Sequence, residues 1–186
     1  MGINAGMFFG KGTVEEFIGF IRPVSPDIES VGFSPDSGTD LFARIAEVTH
    51  DSDTSYILST AVTSVCATET NHDCEITLGD PSSNPGNQQT ITVRAVARFF
   101  QVSGSAPVTK EFFFVLKEGG TDKATSNTFT LTTSYQTFTD VLTQAQKDSI
   151  SDWNAMTLRM ECNFCIESPG PGSVRCRVTQ AEVEFA

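Results

Sequence analysis

The chain is short of positive charge. Lysine and arginine total 12 against 23 aspartates and glutamates, a formal net charge of −11 at neutral pH. Phosphate backbones are bound by clustered cations. Here the cations are scattered and form no run, so nucleic acid is excluded as the expected partner. Histidine is scarce too, with two residues, and each lies in a polar, turn-like stretch. No apolar run approaches the ~18 residues that a spanning helix requires, so no membrane span is expected. The sequence contains no Gly-x-Ser-x-Gly elbow, no Walker loop, no His-Glu-x-x-His pair and no Asn-x-Ser/Thr sequon. A glycosidase needs only two carboxylates that meet in space, but nothing singles out one pair among 23 acids. These lacks point to a protein that is not an enzyme and uses no cofactor.

The opening MGINAGMFFGKG has neither the basic segment nor the continuous apolar core of a secretory signal. Gly6 stands where a myristoylation signal wants Ser or Thr. Reduced thiols are therefore expected at synthesis for the five cysteines, at 66, 74, 162, 165 and 176.

What is present is a chain of 186 residues, long enough for one domain with a substantial core. Residues 1–20 read as an arm. Gly2, Gly6, Gly10, Gly12 and Gly19 disfavour helix and strand alike, yet Met7, Phe8 and Phe9 are too apolar for an idle linker. They are read as contact residues, packing on another subunit or back on their own domain.

Residues 21–186 read as the folded domain. Short Thr- and Phe-rich runs separated by turn residues indicate an all-β sandwich or barrel. Strands are expected in FIGFIRPV, LFARIAEV (41–48), SYILSTAV (55–62), SVCATE, CEITLGD, TITVRAVARFFQV (90–102), KEFFFVLKEGG (110–120) and NTFTLTTSYQTF (127–138). Alternation puts Ile91, Val93, Ala95, Ala97 and Phe99 on one face, with Val96 and Phe100 on the other beside Arg94 and Arg98. In KEFFFVLKEGG, Phe112, Phe114 and Leu116 share one face and Phe113 and Val115 the other. A lone sandwich would leave Val96, Phe100, Phe113 and Val115 wet, so these four are read as an interface with a partner.

A short helix is expected within Asp140–Trp153, with the single tryptophan plugging one end of the sandwich or, on the sharper reading, offering a stacking platform. Near the C-terminus the apolar phase changes from Val174, Cys176 and Val178 to Ala181, Val183 and Phe185. A one-residue slip of this kind implies a bulge near Thr179–Gln180.

Two clusters invite a chemical reading. Cys162 and Cys165 have zinc-like spacing, with Cys176 nearby, but residues three apart on a strand face opposite ways. Buried thiols acting as small hydrophobes are the main expectation, with a Cys162–Cys176 or Cys66–Cys74 disulfide as the alternative. THDSDT (49–54) sets Asp51 and Asp53 beside His50. It reads as a turn in preference to a calcium loop, since the full ligand set is missing. No metal is expected.

The order of several motifs adds a resemblance. Arg22-Pro23, Gly32-Phe33, DSDTSYI (51–57), ITVRAVARF (91–99), LKEGG (116–120), a Thr-rich strand before a polar segment with the lone Trp, and VTQAEVEF (178–185) follow one another. In this order the sequence resembles a widespread group of virion proteins of tailed bacteriophages, over about residues 22 to 186. Phe33 departs from the Trp frequent at that place. The resemblance implies a jelly-roll β-sandwich. A short chain with a Gly-rich arm looks most like a capsid cement or decoration protein. That implies a homotrimer, made in the host cytoplasm, that sits on the outer surface of the head and bridges copies of the major capsid protein. The alternatives are a tail or neck component, or a carbohydrate-binding module of a tail fibre or surface protein. In the last case Trp153, Tyr56 and Tyr135 would be the sugar-facing aromatics.

Overall fold

The computed structural model describes residues 18–48, 54–63, 70–83, 85, 89–104, 106–166 and 173–186, with backbone alone at 25–31 and 70–71. Met7, Phe8 and Phe9, the acidic residues of THDSDT, SVCATE and Cys66 lie outside the described residues. Among those described, no helix is long and apolar enough to cross a membrane.

The strands are β1 (Gly19–Ile21), β2 (Pro23–Val31), β3 (Phe33–Pro35), β4 (Ile57–Ser59), β5 (Thr70–Leu78), β6 (Ile91–Ser103), β7 (Thr109–Glu118), β8 (Thr121–Thr125), β9 (Phe129–Thr130), β10 (Gln136–Val141), β11 (Met156–Cys165) and β12 (Ser173–Phe185). They make two antiparallel sheets. The first runs β10-β6-β12-β4-β3, with β1 also pairing β12; the second runs β2-β5-β11-β7-β8, with β9 also pairing β7. The protein is an all-β sandwich, as the sequence pattern indicates.

Alternation decides which side chains fill it. Ile91, Val93, Ala95, Ala97 and Phe99 of β6 meet Phe112, Phe114 and Leu116 of β7 and Leu158, Met160, Cys162 and Phe164 of β11 in one buried cluster. At the β10 end an aromatic group joins the sheets. Phe138 lies 5.7 Å from Phe112 and 5.0 Å from Phe129, and Phe129 lies 5.7 Å from Phe114.

Turn chemistry follows the sequence closely at the β7–β8 hairpin. Glu118 pairs with Thr121, leaving Gly119 and Gly120 as the two loop residues, at φ 53° and 85°. Primed two-residue turns of this kind require positive φ, which glycine supplies without strain. Between β2 and β3, Gly32 has φ 84°, and a Cβ there would lie 2.1 Å from His72 Nδ1, so the corner admits no side chain.

Glu118 then ties the hairpin to the stretch before β11. Its carboxylate accepts from the backbone N–H of Asp152 (2.7 Å), from the N–H and hydroxyl of Ser151, and from Lys123 Nζ (2.7 Å). These donors, Lys123 foremost, lower its pKa to about 2. Trp153 follows at once. It is buried with its ring 5.2 Å from Phe185, edge to face, which is the plugging role expected from sequence.

Three local expectations need correction. Residues 41–48 are not a strand. Phe42–Arg44 form one 3₁₀ turn whose flanking Leu41 and Ile45 are both buried. This segment lies alongside β12 between the stretches paired with β4 and β1, where Ile45 O accepts from Ala181 N at 3.0 Å. The helix, α1, is confined to Gln144–Ser149, because Thr143 and Gln146 form a capping box there and Asp140–Val141 belong to β10. The cysteines differ as well. Cys162 and Cys176 are free, fully buried thiols in contact across the two sheets, and burial drives the Cys162 pKa well above the thiol range. They do not form the disulfide considered above; the raised pKa holds Cys162 as an unreactive thiol. Cys74 is also free, so there is no Cys66–Cys74 bridge. Cys165, expected reduced, is disulfide-bonded.

The bulge falls where the phase slip places it. β12 is in register with β6 up to Val178 opposite Ala97, then resumes with Gln180 opposite Val96, leaving Thr179 as the extra residue.

Candidate interaction face

The outer face of the first sheet is built from alternate residues of β6, β10, β12 and β4, and the Thr179 bulge divides it. Before the bulge, β12 turns Arg175 and Arg177 outward; after it, Gln180, Glu182 and Glu184. β6 faces them with Phe100, Arg98, Val96, Arg94 and Thr92 in the same order.

In the upper half, arginine and aromatic side chains alternate across the sheet. The Arg177 guanidinium lies over the rings of Tyr56 (4.4 Å to the centroid) and Phe100 (4.0 Å). The Arg98 guanidinium lies near Phe100 (5.5 Å) and over Tyr135 (4.7 Å). The order is Tyr56, Arg177, Phe100, Arg98, Tyr135, and all five are partly exposed. Such cation–π contacts pack the faces of the guanidinium on the ring quadrupoles. Arg98 and Arg177 are also register partners, directly opposite on neighbouring strands. Like charges so placed oppose sheet formation. The intervening Phe100 ring, and Thr133 O accepting from Arg98 at 3.3 Å, hold the arrangement.

The lower half is neutralised. Glu182, with only 3% of its side chain exposed, receives Arg22 at 2.8 Å and Arg94 at 2.9 Å, and Arg94 continues to Glu184 at 2.6 Å. Phe20 packs on the Arg22 guanidinium at 4.8 Å. Around this network runs an open groove of about 550 Å³, edged by Phe20, Val48, Thr137, Thr139 and Gln180. Gln180 Nε2 fixes its rim by donating to the carbonyls of Glu47 (3.0 Å) and Val48 (3.2 Å).

The residues read as an interface separate into two kinds. Phe100 and Phe113 are partly exposed, whereas Val96 (3%) and Val115 (1%) are sealed, so neither valine offers a wet surface. The reason is the company they keep. Val96 sits between Thr137 and Gln180 on adjacent strands and between Arg94 and Arg98 on its own. Val115 sits between Arg159 and Thr125, with Lys117 beside it. Long charged side chains cover apolar neighbours with their stems while their heads stay wet. Phe100 and Phe113 lie on different sheets and do not form one patch.

Sequence reasoning missed Arg98, Arg175 and Arg177 as members of a site, and took Tyr56 and Tyr135 only as sugar-facing aromatics. The outward arginines of "VRAVAR" and "VRCRV" were the available signal. No group of three or more histidine, cysteine or acidic side chains is arranged to hold a metal among the described residues. Comparison with protein-family models gives no match, and comparison with curated proteins gives none either.

Proposed function

We propose that the protein is a structural virion protein: a capsid cement or decoration protein of jelly-roll type. On this reading it sits as a homotrimer on the outer surface of a tailed-phage head and bridges copies of the major capsid protein. The observation that carries the binding role is the partly exposed Tyr56–Arg177–Phe100–Arg98–Tyr135 array on the first sheet. Tyrosine, phenylalanine and arginine are the residues enriched in protein interfaces. The resemblance in motif order supports the virion assignment. A cement protein adds buried area between capsid subunits and so stabilises only the assembled shell.

The test is co-sedimentation with heads of the encoding phage stripped of this protein, together with light scattering of the free protein. Saturable binding and a trimer mass are expected. Failure to bind heads would overturn the reading. Deleting residues 1–16 should leave the domain folded and weaken head binding; unchanged affinity would remove the arm from the proposal.

A second reading, carbohydrate binding, is favoured by the groove on the lower half, where the 40%-exposed Phe20 stands beside Thr137, Thr139 and Gln180. A glycan screen with wild type and Phe20→Ala separates the two.

A further inference from the structure

We infer that the outer edge of β10 receives the N-terminal arm of another copy of this chain, as an added antiparallel strand. The inference rests on the reading of the N-terminal residues as a contact arm, and it names the seat of that arm.

The first observation is an open edge. β10 ends one side of the first sheet, and among the described strands it pairs with β6 alone. Leu142 N donates to Ile91 O at 2.9 Å, which sets the alternation of the ladder. Phe138 and Asp140 thus exchange bonds with β6, while Thr137, Thr139 and Val141 turn their N–H and C=O groups away from it. Among the described residues nothing pairs with those outward groups. The second observation is the contrast with the other edges. Proteins protect an exposed edge with shortness, proline, charge or bulges. β3 has three residues and ends in Pro35. β2 contains Pro23 and Pro26 and breaks register twice. β8 carries Asp122 and Lys123, and its pairing is shifted. In β10, six residues keep unbroken register with β6, without proline. Its one charged residue, Asp140, accepts from Asn127 Nδ2 at 3.3 Å. An edge in this state is a template for a further strand.

The occupant follows from where the described chain begins. Residues 1–17 precede Ile18, and a segment of that length spans up to about 55 Å when extended. Residues 2–10 carry no charged side chain, and Met7, Phe8 and Phe9 form an apolar triplet. That composition suits an edge bordered by the exposed Val141 and by the Phe129–Phe138 ring pair. Glycine opposes strand formation in a free chain, but a preformed edge supplies the hydrogen bonds for a segment of a few residues. Direction argues against a seat on the arm's own β10. β1 runs from opposite Phe185 to opposite Val183, and β10 runs the other way, from opposite Ala97 to opposite Thr92. The arm therefore leaves the sheet at the end where β10 finishes, and folded straight back it would lie parallel to β10. Every described strand pair is antiparallel, the slightly more stable pairing. An arm from another copy enters from the opposite end and pairs in that sense. Exchange of this kind is heterologous and can close into a ring, as a homotrimer requires.

The experiment replaces Phe8 of the full chain with the photoreactive p-benzoylphenylalanine and irradiates a mixture of isotope-labelled and unlabelled subunits in solution. Mass spectrometry then identifies the cross-linked peptides. Mixed-label cross-links from position 8 to Gln136–Val141 are expected. Thr139→Pro removes an outward N–H and spares the bonds to β6. It should lower the yield of that cross-link at least about tenfold, whereas Thr139→Ser, which keeps the N–H, should leave it unchanged. Trp153 fluorescence checks that the variants are folded, and Val141→Pro, at the next outward position, takes the place of Thr139→Pro if that variant does not fold. Cross-links confined to one label, cross-links to another surface, or an undiminished yield in a folded proline variant would each overturn the inference. The capsid reading fails separately. A protein that gives the β10 cross-link but binds no heads would sink the cement reading alone. Head binding without the β10 cross-link would sink this inference alone.

Discussion

The two outer faces of the sandwich treat their cations differently. On the outer face of the second sheet Lys117 and Arg159 meet carboxylates. Lys117 pairs with Glu75, which also accepts from Thr157 at 2.7 Å, and Arg159 pairs with Glu161 at 2.7 Å. Beneath them Val115 is sealed. On the upper half of the first sheet, Arg98 and Arg177 lie on aromatic rings and opposite each other on adjacent strands. Apolar residues are interspersed on both faces, so hydrophobicity does not distinguish them. The disposition of charge does: outward cations of one face pair with carboxylates, and on the other Arg98 and Arg177 stack on aromatic rings.

Substitutions that break or sharpen this contrast differ in expected size. The largest effect belongs to the second sheet. Glu75→Ala leaves the largely buried Lys117 ammonium without its carboxylate. It should cost about 3 kcal/mol of stability by urea denaturation, with Trp153 fluorescence as the probe. A loss below about 1 kcal/mol would mean that face is not as complete as described. Next come the sealed valines. Val115→Ala and Val96→Ala should each lose about 1–2 kcal/mol, because each deletes buried methyl groups. An exposed position would lose almost nothing, so a difference between them would show one face to be more open.

Acid sharpens the picture at the hairpin end. The folded-state pKa of Glu118 is lowered from 4.5 to about 2. Its stabilising contribution is therefore present in full above pH 4.5 and disappears as the pH falls through 2. The stability gap between wild type and Glu118→Gln should narrow across that window; a constant gap would show that the carboxylate is not preferentially ionised in the fold. The smallest effect belongs to the first sheet. Arg177→Gln should change stability by no more than about 0.5 kcal/mol in either direction, because it exchanges two ring contacts for relief of the opposition to Arg98. A large loss would place Arg177 with the structural cations of the second sheet.

Much of the scaffold was legible from residue order. Two-residue alternation in 91–99 and 112–116 gave the core faces, Gly119-Gly120 gave the tight turn, and the phase slip gave the bulge at Thr179. These are properties of single strands and their turns. The reading failed where the answer depended on neighbours across the sheet. Leu41 and Ile45 resembled strand residues, but the gap they fill beside β12 is set by β1 and β4. Val96 and Val115 looked wet because the stems flanking them come largely from other strands. The arginine–aromatic array needs β4, β6, β12 and the approach to β10 in register before it exists. No spacing in the chain could display that array.

The bulge also bears on how the gene can change length. Val178 and Gln180 already pair with consecutive residues of β6, so Thr179 is the one member of β12 that the pairing passes over. An in-frame loss of its codon would join two segments already in phase, keeping Arg177 and Glu182 outward and Val178 and Val183 inward. Loss of a codon farther down the strand, between Ala181 and Phe185, would reverse the facing of every residue beyond it. β12 thus carries a single spare codon, at the boundary between its two outward surfaces.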